Sequence, residues 1–268
     1  MSVIVDRYAE LPLPIRKPLW QIWHKVMIRF DKDITANFMN YGYQSLNGDP
    51  FLELLDKDEN DRYCIQLYDH VVNREDLLNK EVLEVGSGRG GGASYITRYY
   101  KPKSYTGLDI SAPIIDFCND YYDVEGLRFK KGIAEKLSFG QESFDAVVNV
   151  ESARCYSSLT TFFNEVFRVL RKDGKFLFAD MIRPREIEDV KLKLAESGFR
   201  ILHETEITQN VVEALDRDTH RRETLIRKKV PGFLIDAFLN FAGAKGSVRY
   251  KSFTDGTYSY WSFVLGKK

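Results

Sequence analysis

Apolar and polar positions alternate in a regular way from about residue 80 onward. The segments 81–85, 104–109, 127–131, 144–150, 174–180 and 199–207 are compact apolar or β-branched runs that read as strands. The segments 91–100, 112–122, 159–171 and 186–197 carry apolar residues three and four apart and read as helices. Strands interleaved with helices predict an α/β architecture, a mostly parallel sheet with helices on both faces. The closing run Tyr258–Leu265 reads as a seventh strand. Between it and the sixth lie two candidate helices, 209–229 and 232–243, with Pro231-Gly232 as the break. The second presents Phe233, Phe238 and Phe241 among Leu234, Ile235 and Leu239, more apolar surface than one side of a surface helix needs.

Ahead of the alternating region, Leu19–Ile28 and 61–73 have helical spacing, and an aromatic loop, Phe38-Met39-Asn40-Tyr41-Gly42-Tyr43, joins them. The expected layout is one domain: an N-terminal helical cap at 1–79, a core at 80–207 and 248–268, and an inserted helical cap at 208–247. Both caps are aromatic, which suits an apolar lid over a small-molecule site.

With 268 residues, 44% of them hydrophobic, the chain can bury a sizeable core. Its 39 basic and 39 acidic side chains cancel, so no global field draws nucleic acid or an anionic membrane, and any anion recognition is local. Asp6, Arg7, Glu10, Arg16 and Lys17 interrupt the N-terminal apolar residues, so neither a secretory leader nor stable membrane insertion is expected. Cys64, Cys118 and Cys155 are odd in number and lack a CxxC pair; that points to a reducing, cytoplasmic setting and to no metal site.

The candidate chemistry starts where Val82–Val85 runs into Gly86-Ser87-Gly88-Arg89-Gly90-Gly91 and a helix pattern follows. Glycines there let a ligand approach the main chain without meeting a Cβ. Asp109 ends the next strand 23 residues after Gly86, the spacing at which an acidic side chain grips ribose hydroxyls. Gly86, Gly88 and Gly91 also satisfy the dinucleotide fingerprint GxGxxG, which leaves a nicotinamide-dependent reductase open.

Three later segments separate the cofactors: Gly132–Phe139, Phe144–Glu151, and Phe163–Asp180 with its glycine turn. Together with the glycine bend they resemble the Rossmann-like class I methyltransferases that use S-adenosyl-L-methionine. Gly90–Arg98, Tyr105–Asp109 and Asn149–Ser152 are similar to the phthiotriol and phenolphthiotriol dimycocerosate O-methyltransferases and, more broadly, to secondary-metabolite O-methyltransferases. The resemblance implies that Glu84, Gly86, Ser87, Gly88 and Gly90 hold the methionine portion, Asp109 the ribose, and Ile110 and Ala134 the adenine. Asn149 and Val150 would border the sulfonium. Two positions depart from the pattern: Ile133 stands where an aspartate usually receives the adenine amino group, leaving Glu135 or a backbone carbonyl to substitute, and Arg154 stands where many relatives have a histidine base.

Glu151 and Asp180, ending adjacent strands, are the carboxylates expected to act as catalytic base; His203 and His220 lie outside the core motifs. Tyr41, Tyr43, Arg154 and Tyr156 are expected on the acceptor side, Arg154 either pairing with an anionic substrate or forming a salt bridge at a helix start. Arg221-Arg222 with Arg227-Lys228-Lys229 would suit an anionic lipid or the phosphopantetheine of a carrier protein, but their interleaving with Asp216, Asp218 and Glu223 favours a solvated helix face. The expected activity is O-methylation of a hydrophobic secondary metabolite or lipid-like acceptor. C- or N-methylation, fatty-acid carboxyl methylation, and non-catalytic cofactor binding remain the alternatives.

Overall fold

The computed structural model describes residues 37–48 and 52–267; the expected helix at Leu19–Ile28 lies outside the described residues. Seven strands, β1 (Glu81–Val85), β2 (Ser104–Asp109), β3 (Leu127–Lys131), β4 (Phe144–Val150), β5 (Leu170–Ile182), β6 (Phe199–Glu206) and β7 (Ser259–Lys267), form one sheet in the order β3-β2-β1-β4-β5-β7-β6. β7 runs antiparallel to both its neighbours. The central strands β1 and β4 are buried almost throughout, as expected of strands covered on both faces. Alternate residues go to opposite sides: Val82 and Val148 join the apolar cluster with Ile65, Tyr95 and Ile114, while Leu83 and Val147 join the one with Phe162, Phe163 and Phe176.

The covering helices are α1 (Arg62–Val72), α2 (Gly91–Tyr100), α3 (Ala112–Tyr121), α4 (Leu159–Val169) and α5 (Ile187–Glu196). α6 (Thr208–Lys229), α7 (Ile235–Phe241) and α8 (Val248–Thr254) fill the connection from β6 to β7. That connection leaves β6 at its carboxyl end, and because β7 is antiparallel it re-enters the sheet at the same end, with Glu206 opposite Trp261. The inserted helices therefore belong to the sheet edge where the glycine bend opens. The helical stretch runs on to Thr254, beyond the expected boundary at 247, since Ser247 caps α8 by accepting from the Tyr250 N–H at 3.1 Å. The expected helix at 232–243 is shorter, beginning as a 3-10 turn at Gly232–Leu234.

The basic stretch of α6 divides. Arg227 and Lys228 are exposed, but Arg222 is buried, which corrects the solvated-face reading for that residue. Its Nε donates to Asp218 Oδ2 (2.8 Å), Nη1 to the Ala242 carbonyl (2.9 Å), and Nη2 to the carbonyls of Asn40 (3.3 Å) and Tyr41 (3.1 Å). A guanidinium tolerates burial only with such a complete set of acceptors. No helix among the described residues is long and apolar enough to cross a membrane.

Candidate active site

The bend after β1 is sterically exacting. Gly86 has φ +79°, and a Cβ there would fall 2.3 Å from Ser152 Oγ and 2.8 Å from the Tyr156 hydroxyl. The Gly86 and Ser87 N–H groups donate to the Leu108 carbonyl at 2.7 and 3.0 Å, tying the bend to the end of β2. There Asp109 accepts from the N–H groups of Gly88 (3.1 Å) and Ser111 (2.9 Å). Burial pushes its carboxyl above the ordinary value, and the backbone donors from Ser111, Gly88 and Ile110 oppose this.

A cavity of about 360 Å³ opens above these residues, the size range of small-molecule and cofactor pockets. On the cofactor side, Gly86, Ser87, Gly88, Asp109, Ile110 and Ala134 line it. Val150, Glu151, Arg154, Tyr156 and Glu135 line the remainder, with Phe38, Met39 and Phe241 contributed by the caps. Four lining residues, Asn37, Asn40, Ser87 and Glu151, each hold a buried oxygen with no hydrogen-bond partner. Buried polar atoms rarely go unpaired, so their convergence on one cavity fits a ligand rich in donors. The amino group and ribose hydroxyls of S-adenosylmethionine meet that requirement.

Several other expected site residues do not line the cavity. Glu84 is fully buried, accepting from the hydroxyls of Tyr68 (2.8 Å) and Tyr105 (3.0 Å), and burial pushes its carboxyl up to about 7. Tyr68, on α1, is the residue that reaches the cavity; a Cβ on Gly92 would lie 2.0 Å from its ring. Gly90 starts α2 against Phe129 and Tyr122 rather than lining the cavity. Asn149 is fully buried, its Nδ2 donating to the Val85 carbonyl and to Ser152 Oγ, both at 2.7 Å, so it braces the ends of β1 and β4. Ile133 is 44% exposed and outside the cavity. Glu135 receives the Ser157 N–H at 2.6 Å. Tyr43 stacks on His70, 4.3 Å between centroids, away from the cavity.

Glu151 lies in the cavity wall directly after β4. The residue has φ +54°, a left-handed conformation unusual outside glycine, in which its N–H donates to the Ala179 carbonyl at 2.9 Å. Its Oε1 accepts from the Tyr41 N–H (2.8 Å) and from the Tyr260 hydroxyl (2.9 Å). Oε2 accepts no hydrogen bond, and Arg154 Nη2 lies 3.9 Å away. Burial raises the carboxyl to about 7 despite Arg154, the Tyr41 N–H and the Tyr260 hydroxyl, all of which favour the anion; Asp180 adds to the rise.

Asp180 is differently placed. It is 2% exposed, outside the cavity, and accepts from Arg154 Nη1 (3.0 Å), the Arg154 N–H (3.2 Å) and the Met181 N–H (2.8 Å). Asp180 thus anchors Arg154 instead of facing an acceptor, and the Arg154 guanidinium serves two protein carboxylates. Tyr41 reaches Glu151 through its backbone N–H, its ring packs edge-on against Phe253 at 5.4 Å, and it lines a smaller neighbouring cavity. The sequence reading missed Tyr68, Ser152 and Tyr260. Of these, only Tyr260 had a local signal, a hydroxyl at an inward position of the closing strand.

A glycine bend after β1, a half-buried carboxylate ending β2 and an antiparallel β7 between β5 and β6 together define the class I methyltransferase architecture; a dinucleotide fold would instead carry the all-parallel order 3-2-1-4-5-6. The profile described as "Methyltransferase domain" matches residues 83–178. The fatty-acid O-methyltransferase of Mycolicibacterium smegmatis is 36% identical over 266 residues, covering 98% of this chain and 95% of the relative. The phthiotriol/phenolphthiotriol dimycocerosates methyltransferase of Mycobacterium tuberculosis is 36% identical over 253 residues, covering 94% and 93%. Among solved structures, the [4+2]-cyclase SpnF superposes with a TM-score of 0.70 at 17% identity, covering 92% of this chain and 94% of that one, a likeness of fold alone. The chain belongs to the S-adenosylmethionine-dependent methyltransferase family that includes these mycobacterial enzymes.

Asp109→Ala is expected to weaken S-adenosylhomocysteine binding by about 1–3 kcal/mol, the worth of charged hydrogen bonds, in a calorimetric titration. Unchanged affinity would place the ribose elsewhere.

Proposed function

We propose that this enzyme methylates a hydroxyl oxygen of a hydrophobic, lipid-like or secondary-metabolite acceptor, and that Glu151 removes the hydroxyl proton. The supporting observation is Glu151 Oε2: a buried carboxylate oxygen without a hydrogen-bond donor, in the wall of the cofactor cavity. Bound S-adenosylmethionine supplies a methyl group on a sulfonium whose departure leaves a neutral thioether. The protein's own work is then to hold the acceptor in line and to take up one proton. A carboxyl near 7 is matched to that task at ordinary pH, far better than an unshifted glutamate.

Hydrophobicity of the acceptor is supported by a second cavity of about 150 Å³, where Leu225, Ile226, Val230 and Phe238 contribute apolar wall beside the charged Asp61, Arg221, Arg222 and Lys229. It shares Phe38, Met39 and Phe241 with the first cavity. The relatives named for fatty-acid and phthiotriol substrates agree with this reading. A carboxylate acceptor is already ionised at neutral pH and needs no base, so Glu151 favours a hydroxyl over a fatty-acid carboxyl. Asp109, Ile110, Ala134 and the Gly86–Gly88 backbone would hold the cofactor, while the two caps keep water from the transfer. The three cysteines form no disulfide, in keeping with a cytoplasmic setting.

Incubation with methyl-labelled cofactor and matched hydrophobic alcohols and carboxylic acids tests the proposal by mass spectrometry. The expected product is a labelled ether that survives mild alkali. A labelled product that hydrolyses, or a label on carbon or nitrogen, would overturn it.

A further inference from the structure

α6 changes character along its length. Over its first four turns the basic side chains are matched to carboxylates: Arg217 to Glu213 at 2.7 Å, Arg221 to Asp218 at 2.6 Å and to Asp61 at 3.2 Å, Arg222 to Asp218 at 2.8 Å. In the last turn, Arg227 and Lys228 are exposed and form no ion pair among the described residues. The chain then turns at Pro231-Gly232, and Phe233 stands at the tip with 71% of its surface in solvent, the highest among the exposed large hydrophobic side chains of the described residues. Asp236, three residues on, is exposed as well. A single exposed aromatic is ordinary. An aromatic tip beside two unmatched cations, on a protein with no net charge, is a local feature with its own chemistry.

What lies behind this elbow gives it direction. Leu225, Ile226 and Val230, on the same last turns of α6, point inward and wall the second cavity with Phe238 of α7. Arg227 and Lys228, flanked by these lining residues, face solvent instead, and the exposed Phe233 follows Val230 by three residues.

We propose that the α6–α7 elbow docks the enzyme on a lipid surface bearing anionic headgroups, with Phe233 entering the headgroup–acyl boundary and Arg227 and Lys228 meeting the headgroup charges. Each cation contributes attraction that decays within a Debye length, and the ring adds apolar burial. Two cations and one ring give a reversible association, consistent with the lack of a membrane-crossing helix among the described residues. Docked in this way, the enzyme presents the wall of its apolar cavity to the phase in which lipid-like acceptors reside. The docking goes beyond the methyl-transfer reading and is measured without turnover.

The test is co-sedimentation of the full chain with vesicles of phosphatidylcholine alone or of phosphatidylcholine with phosphatidylglycerol, for the wild type, Phe233→Ser and the double variant Arg227→Glu/Lys228→Glu. Expected is binding to the phosphatidylglycerol vesicles only, weakening with added salt. Phe233→Ser should lower the partition coefficient roughly tenfold or more, from the transfer free energy of a buried phenyl ring. The double variant should abolish binding, and both should turn over a water-soluble short-chain acceptor at the wild-type rate. Wild-type partition that ignores the anionic lipid, or variants that bind as the wild type does, would overturn the docking. Failure of hydroxyl methylation with these binding differences intact would instead remove the proposed reaction and leave the docking standing.

Discussion

Glu151→Gln is expected to lower kcat by about 10²- to 10⁴-fold, the usual span for loss of a positioned general base, with S-adenosylhomocysteine affinity unchanged. Glutamine keeps an oxygen to accept from the Tyr41 N–H and the Tyr260 hydroxyl, so the loop and β7 stay in place; what is lost is the proton acceptor. The pH profile carries the sharper signature. Because Glu151 must be ionised to act and burial has raised its carboxyl to about 7, wild-type kcat should climb as pH rises through 7 and level off above it. The variant should lose that limb. Glu84 also titrates near 7, yet it lies behind Tyr68 and outside the cavity. A limb persisting in Glu151→Gln would transfer the titration to Glu84 and remove Glu151 as the base.

The same carboxyl has a stability consequence with a defined sign. The native state holds its proton up to about 7, while the unfolded chain releases it near 4.5. Its contribution to stability is therefore complete below 4.5 and is lost as pH rises through 7. Glu151→Gln should consequently gain in melting temperature relative to the wild type as pH goes from 5 to 8.

Which parts were legible in the sequence follows from how local their causes are. The strands, the bend at Gly86 and the position of Asp109 depend on side-chain period and on a Cβ that will not fit, both written in a few adjacent residues. Glu84 shows the limit. Its place at the end of β1 was readable, but its direction was decided by Tyr68 on α1 and Tyr105 on β2, which bring hydroxyls to it from 16 and 21 residues away. Asp180 and Glu151 looked equivalent as strand-end carboxylates; Arg154 separates them, closing 3.0 Å on one and standing 3.9 Å from the other. Arg222 was the least legible, because three of its five partners among the described residues are backbone carbonyls, which every residue type carries.

That buried arginine gives the second large effect. Arg222→Met is expected to lower folding stability by about 3–5 kcal/mol, the cost of removing one partner from a buried ionic cluster. Asp218 would keep Arg221, but the carbonyls of Asn40, Tyr41 and Ala242 would be left with no guanidinium donor. Arg222→Lys should rescue little, since an ammonium cannot spread across acceptors on α6, the 37–48 loop and the end of α7 as the planar fork does. The damage should also be felt at the catalytic centre. Arg222 grips the carbonyl of Tyr41, whose N–H donates to Glu151 Oε1, so loosening the loop removes a donor that holds the Glu151 carboxyl down. In the fraction of Arg222→Met that remains folded, the pH at which kcat reaches half its plateau should therefore move upward from the wild-type value. Denaturant unfolding and the kcat profile measure the two effects separately. A variant as stable as the wild type, with its pH limb unmoved, would show that the cap and the base are not linked through this side chain.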